Sequence, residues 1–358
     1  PVRVRVDTPT STEFHRVLLR NEEARMPLPS GAKAVLVNEG SHGFYRVRYD
    51  NNLLEPLLDR LPSLDASERF TLVNDLWAGV LAGMIPLTEF LDRTLLFHGE
   101  RDRLVWSALL NSQGLLLRLV DDADRPAIRT RIRSLLREAV DDLGWQPRDG
   151  EDELRQQLRG DLLRAMGILG DDPAVQREAV LIYTGGQAEA NVHSAAVAIL
   201  AHAGDSARYE EFRDRFRQAR TPQEEQRFLL ALAGFRPSAL VERTLLACRD
   251  GSIRTQDAPL VLRTMLQQVH SREATWQFLR QHGDELVQRF PGPGMRRLCE
   301  GMTGLISRAW LAEVRAFLQG PAVRLGGKVA EQILEQLEVS VELQSREQAA
   351  LKDYLRKP

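Results

Sequence analysis

The feature that most constrains this chain is a recurrence. From about Leu53 onward apolar residues fall at helical spacing, and the helical runs are broken near Asp171, Asp205, Pro237, Ser271 and Ser307. Successive breaks lie 34, 32, 34 and 36 residues apart. A period of that length holds two helices and their turns. One such hairpin cannot bury its apolar face alone, whereas stacked neighbours make a continuous core. The spacing therefore predicts a mostly α fold: a HEAT/armadillo-like α-solenoid of helical hairpins over residues 51–358, with roughly sixteen helices. A tetratricopeptide pattern is not met. Such stacks curve and present a concave face.

Helix starts are marked by capping chemistry. Asp65 with Glu68 fits a capping box. Thr221-Pro222-Gln223-Glu224 combines a cap, a proline at the first helical position and a glutamate behind it. Asp172-Pro173 and Ser345-Arg346-Glu347-Gln348 predict two further starts by the same logic. The stretch from Gly283 to Gly294, containing QRFPGPG, predicts an irregular connection.

The first fifty residues follow a different period. Val2, Val4 and Val6 alternate with Arg3 and Arg5, the signature of a half-buried strand. Glu13–Arg20, Ala34–Asn38 and Phe44–Tyr49 (FYRVRY) continue as β-compatible runs, punctuated by Pro9, Pro27, Pro29 and Gly31. They predict four or five short strands, the end of a β-sandwich domain over residues 1–50.

Composition narrows the functional classes. The chain is 43% hydrophobic, with 48 basic against 50 acidic side chains and a net charge of −2. That balance argues against self-repelling disorder and against a dedicated nucleic-acid binder. Forty-four of the basic residues are arginines, but they spread along the whole chain. No apolar run is long enough to predict a membrane span. Cys248 and Cys299 are too few for a disulfide framework and read as buried thiols.

A self-contained active site is not visible. None of the seven histidines begins H-E-x-x-H, and no G-x-S-x-G elbow occurs. His98-Gly99-Glu100-Arg101-Asp102 concentrates potential ligands but reads as a solvated loop. Gly292-Pro293-Gly294 lacks the third glycine of a dinucleotide loop, since Arg297 stands there. Gly326-Gly327-Lys328 reads as a helix opening. Arg213, Arg215 and Arg217 read as a solvated face among acidic neighbours. Arginines elsewhere remain candidates for pairing a peptide carboxylate bidentately, with none singled out.

One segment carries a resemblance. Ala34–Asp50, AVLVNEGSHGFYRVRYD, resembles the junction motif "LLN-x-G-x-x-GFYRV-x-Y" of the zinc-dependent aminopeptidase N family. Asn38, Gly40, Gly43, Phe44, Tyr45, Arg46, Val47 and Tyr49 fit it in order, and the residues predict a structural junction between sandwich and helices. Arg69–Asp75 resembles the family's "R-x-x-L-x-x-D" helix, and Trp106, Gly144-Trp145 and Glu331–Glu338 resemble later features. The resemblance implies the endoplasmic-reticulum-aminopeptidase-like C-terminal domain. It implies a parent zinc metallo-aminopeptidase whose H-E-x-x-H site and G-x-M-E-N loop lie upstream of this region. On that reading the chain holds no cofactor, catalytic residue or metal ligand, while zinc belongs to the parent. Its partners are the catalytic domain of the same polypeptide and peptide substrates, with neither nucleic acid nor membrane. The alternative is a free-standing helical-repeat scaffold for a protein or peptide partner. Low cysteine content points to the cytoplasm.

Overall fold

The computed structural model describes residues 1–290, 292–320, 323 and 327–356. Among these residues the chain forms three strands followed by sixteen α-helices. It divides into two compact units: Pro1–Gln113 with Arg137–Ala139, and Gly114–Leu136 with Val140–Pro358.

The first unit opens on β1 (Val2–Asp7), β2 (Thr12–Val17) and β3 (Ala34–Val37). They form an antiparallel sheet in the order β2-β1-β3, with Val4 opposite both His15 and Val37. The period-2 pattern drives this: Val4, Val6 and Val35 make one buried face, joined by Val2, Val17, Met26 and Leu53. The other β2 face leaves Phe14 exposed, and Leu18, Leu19 and Leu28 are exposed as well.

The sequence expectation of four or five strands is corrected here. FYRVRY is not a strand; Phe44–Tyr49 runs as bends and irregular chain. Its backbone is claimed by side chains instead. The N–H of Val47 donates to Asp75, and the hydroxyl of Tyr49 both accepts from Val37 N at 2.9 Å and donates to Val37 O at 3.2 Å. A phenol thus closes the edge of β3 where a fourth strand was expected.

Helices α1 (Asn51–Leu58), α2 (Ala66–Leu81), α3 (Leu87–Thr94) and the first part of α4 (Arg103–Leu119) complete this unit. The predicted capping box of Asp65 and Glu68 starts α2. Helix α5 (Arg125–Leu143) contributes residues to both units.

The second unit contains α6 (Glu153–Ile168), α7 (Pro173–Gly185), α8 (Ala190–Ala203), α9 (Ser206–Gln218), α10 (Pro222–Leu232) and α11 (Ser238–Asp250). It continues with α12 (Ala258–Leu266), α13 (Arg272–Arg289), α14 (Gly292–Gly301), α15 (Arg308–Leu318) and α16 (Gly327–Leu355). Helices α7, α9, α11, α13 and α15 each begin one or two residues after a break read from the sequence. Asp172 and Thr221 cap α7 and α10 through their side chains, with proline at the first helical position of each.

The packing order follows from the hairpins. From α6 to α16, each even-numbered helix packs against the next even-numbered one, and odd-numbered helices pack beside them. Side chains tie one turn to the turn of the next hairpin. Arg236 Nε donates to His202 O at 2.7 Å, Gln268 to Ala233 O at 3.2 Å, and Gln267 to Gly301 O at 2.9 Å. Each bond joins residues 34 or 35 apart, so the recurrence in sequence is a recurrence in hydrogen bonding. Between the layers Tyr209, Phe212, Phe228 and Phe235 form a run of edge-to-face contacts with centroids 5.1–6.0 Å apart. Helix α6 approaches α8 closely at Gly167, where a Cβ would stand 2.7 Å from the Ile199 side chain.

Two helical expectations are also corrected. No helix starts at Ser345; α16 runs through it, and the Ser345 hydroxyl donates to Val341 O one turn back at 3.0 Å. No glycine or proline interrupts Lys328–Leu355, so the capping-type residues have no break to cap. The irregular connection expected over Gly283–Gly294 is mostly helix, because α13 continues to Arg289 and α14 starts at Gly292. Pro291 and Gly326 lie outside the described residues. Among the described residues no helix is long and apolar enough to cross a membrane.

Candidate functional site

The junction motif is organised by two buried carboxylates of α2. Glu68, 2% exposed, accepts from Gly40 N at 3.1 Å, from Asp65 N at 3.0 Å and from Arg5 Nη1 at 3.2 Å. One side chain thereby joins β1, the turn after β3 and its own helix start. Asp75, one face-spacing further along α2, accepts from Val47 N at 3.1 Å and Arg46 Nη1 at 3.2 Å. Burial pushes the Asp75 carboxyl above its ordinary range, against the pull of those two donors.

The motif's remaining residues shape the turn. Asn38 sits in the left-handed region at φ 67° and is 4% exposed. Its side chain accepts from Gly43 N at 2.6 Å and donates to Gly43 O at 3.0 Å, closing the turn Asn38–Gly43 on itself. Gly43 has no room for a side chain: a Cβ would lie 2.0 Å from the Tyr45 ring and 2.8 Å from the Asn38 side-chain Oδ1. Tyr45 is partly covered, while Phe44 is fully exposed. Burial raises the Tyr49 hydroxyl well above a free tyrosine. The eight motif residues thus come together around α2, with Phe44 alone pointing wholly into solvent.

The loop His98–Asp102, expected to be solvated, has a buried anchor. Glu100 is 6% exposed; its carboxylate takes Arg69 Nε at 2.6 Å and the N–H groups of Arg101 and Asp102 at 2.8 Å. The Trp106 indole donates to Glu100 O at 3.0 Å. Arg69, Glu100 and Trp106 are therefore one structural knot. His98 is exposed and pairs with Glu138 at 2.5 Å.

A cavity of about 480 Å³ lies in the second unit. Three successive even-numbered helices line it: α12 supplies Arg263, α14 supplies Arg296 and Glu300, and α16 supplies Gln332, Ile333 and Gln336. Gln267 and Thr303 also line it, and Gln267 Nε2 donates to Thr303 Oγ1 at 2.9 Å. Arg296 lies 3.3 Å and Arg263 3.7 Å from the one carboxylate, Glu300. Two guanidiniums share a single half-buried acid, so donors remain for an incoming anion. The glutamine amides offer both donors and acceptors to a peptide main chain. Sequence reasoning missed this cavity because its residues are 73 positions apart from Arg263 to Gln336 and no short motif joins them. The available signal was spacing: Arg263 and Arg296, Gln267 and Glu300, and Thr303 and Gln336 are each 33 positions apart, one hairpin period.

No three His, Cys, Asp or Glu side chains among the described residues come together to hold a metal ion. Cys248 and Cys299 are free and buried, and burial pushes the Cys299 thiol up to about 12 and Cys248 higher still.

Residues 34–339 match the ERAP1-like C-terminal domain, and the chain belongs to that family. Its relatives include a leucyl aminopeptidase of Saccharolobus solfataricus, 27% identical over 79% of this chain and 35% of the relative. A glutamyl aminopeptidase of Mus musculus is 24% identical over 87% of this chain and 34% of the relative. Aminopeptidase M1 of Arabidopsis thaliana is 27% identical over 69% and 30%. The chain thus spans about a third of the length of the curated relatives it matches.

Proposed function

We propose that this chain is the non-catalytic C-terminal part of a zinc metallo-aminopeptidase and that it receives peptide substrate. Family membership and the aminopeptidase relatives support the parent activity. The parent's zinc and its catalytic residues would reside in the part of the polypeptide that this chain does not span. The cavity between α12, α14 and α16 is the observation that carries the peptide-binding role. In this reading Arg263 and Arg296 hold a peptide carboxylate, and Gln332 and Gln336 hydrogen-bond the adjoining main chain. The helical hairpins stack as a solenoid and cover the catalytic chamber, excluding folded proteins. The GFYRV junction acts structurally, fixing the strands to α2 through Glu68 and Asp75, and its contacts support that role. The low cysteine count supports a cytoplasmic setting.

The test is binding of a fluorescently labelled peptide of about ten residues, followed by anisotropy. The wild-type chain should bind it saturably, and Arg263→Gln with Arg296→Gln together should weaken binding by at least about tenfold, the scale of one charge-assisted contact. Equal affinity in both proteins would remove the cavity from the account.

A further inference from the structure

The turns between hairpins in the second unit collect positive charge with too few acceptors. His270, at the turn between α12 and α13, has its ring 6.2 Å from that of His202, edge to face. Burial first, then the positive surroundings of His202, Arg236, Arg129 and Arg125, push His270 down to about 3. Arg125 and Arg129 come from the start of α5, and Arg236 from the turn before α11. The sequence recurrence brings these groups together, since His202, Arg236 and His270 are spaced by one hairpin period each.

The acceptors facing them are spent. Asp171 Oδ2 takes Arg129 Nη1 at 2.7 Å and Arg236 Nη1 at 3.2 Å. Its Oδ1 takes Gln176 at 2.7 Å and His202 at 3.2 Å. Arg125 pairs with Asp122 and donates to Leu117 O. Asp121 is engaged by Lys352 at 2.8 Å. Left over are Arg129 Nε and His270 Nε2, both buried with no hydrogen-bond partner. Buried polar atoms without a partner are rare, and each calls for an ion or water that satisfies it.

We infer that this column of turns binds a small polyvalent oxyanion of the phosphate class, seated between Arg129 and His270 with Arg236 at its side. The free Nε of Arg129 donates to one oxygen, and the neutral His270 ring, protonated on Nε2, donates to another. The donors belong to three separate elements, α5, the α10–α11 turn and the α12–α13 turn, and so call for acceptors in more than one direction. A tetrahedral ion offers acceptors in several directions, whereas a carboxylate offers them in one plane. The site shares no residue with the Arg263–Arg296 cavity, and it does not depend on the peptide reading.

The test titrates inorganic phosphate into the whole chain at constant ionic strength near pH 7.5. The readouts are thermal unfolding and the imidazole nitrogen resonances of His270. Expected are saturable stabilisation, a shift of the His270 Nε2 resonance, and at least about tenfold weaker binding in Arg129→Gln. The control Arg254→Gln, on a distant exposed pair, should bind as wild type. Stabilisation no larger than that from chloride would overturn the proposal, as would unchanged affinity in Arg129→Gln or tighter binding of acetate than of phosphate. If Arg129→Gln fails to fold, the wild-type spectrum decides: a His270 resonance unmoved at saturating phosphate refutes the site.

Discussion

Replacing His270 with glutamine should flatten the acid limb of this protein's stability. Burial and neighbouring cations lower the His270 pKa from 6.5 to about 3 in the folded chain. Between those values the unfolded chain binds a proton that the folded chain refuses. Stability is then fully present above pH 6.5 and is lost as pH falls toward the folded value. For one group with these two values, the unfolding free energy at pH 5 is about 2 kcal/mol lower than at pH 8. Glutamine keeps a polar side chain of similar reach but does not titrate. Urea unfolding of both proteins at pH 8 and pH 5 gives the comparison. Whatever fixed offset the substitution causes at pH 8, the wild-type advantage should shrink by about 2 kcal/mol at pH 5. His193 and His202 are also lowered by burial, but they titrate in both proteins and cancel in the difference. Asp171, held far below its ordinary 3.8, loses its contribution only at lower pH, outside this window. Parallel pH profiles for the two proteins would show that His270 is free to protonate in the fold, and the reasoning would fail.

Three further outcomes follow from the same geometry. Glu151, 2% exposed, grips the fully buried Arg159 through both oxygens at 2.5 and 2.6 Å. Glu151→Gln should cost about 3–5 kcal/mol in denaturant unfolding, and replacing both residues by apolar ones should recover most of it. Tyr49→Phe removes the two hydrogen bonds to Val37 and should cost about 1–3 kcal/mol, with no change in helix content by circular dichroism. Incubated with zinc and aminoacyl fluorogenic substrates, the chain alone should release no fluorophore; turnover would contradict its non-catalytic role.

The helical half was legible because its signals are local. Asp65, Asp172 and Thr221 cap helices within three residues of themselves, and the breaks near 171, 205, 237, 271 and 307 are turn residues acting where they stand. Ser345 shows the limit: the same residue type inside an uninterrupted run bonds one turn back and starts nothing. FYRVRY alternates like a strand, yet Asp75 and Asn38 claim the backbone around it, and neither claim is visible in a six-residue window. The roles of Glu68 and Asp75 are non-local in the same way, set by partners 28 or more positions away. The cavity was illegible because it draws on three helices, and arginines spread along the whole chain give no cluster to find.

The most direct test of the central claim compares two ligands that differ at one end. A labelled peptide with a free C-terminal carboxylate and its C-terminal amide are titrated against the wild-type chain at the same ionic strength. If Arg263 and Arg296 receive the peptide's carboxylate, the free acid binds at least about tenfold more tightly than the amide. Equal affinities, or no saturable binding of either, would contradict a peptide-receiving role for this helical domain.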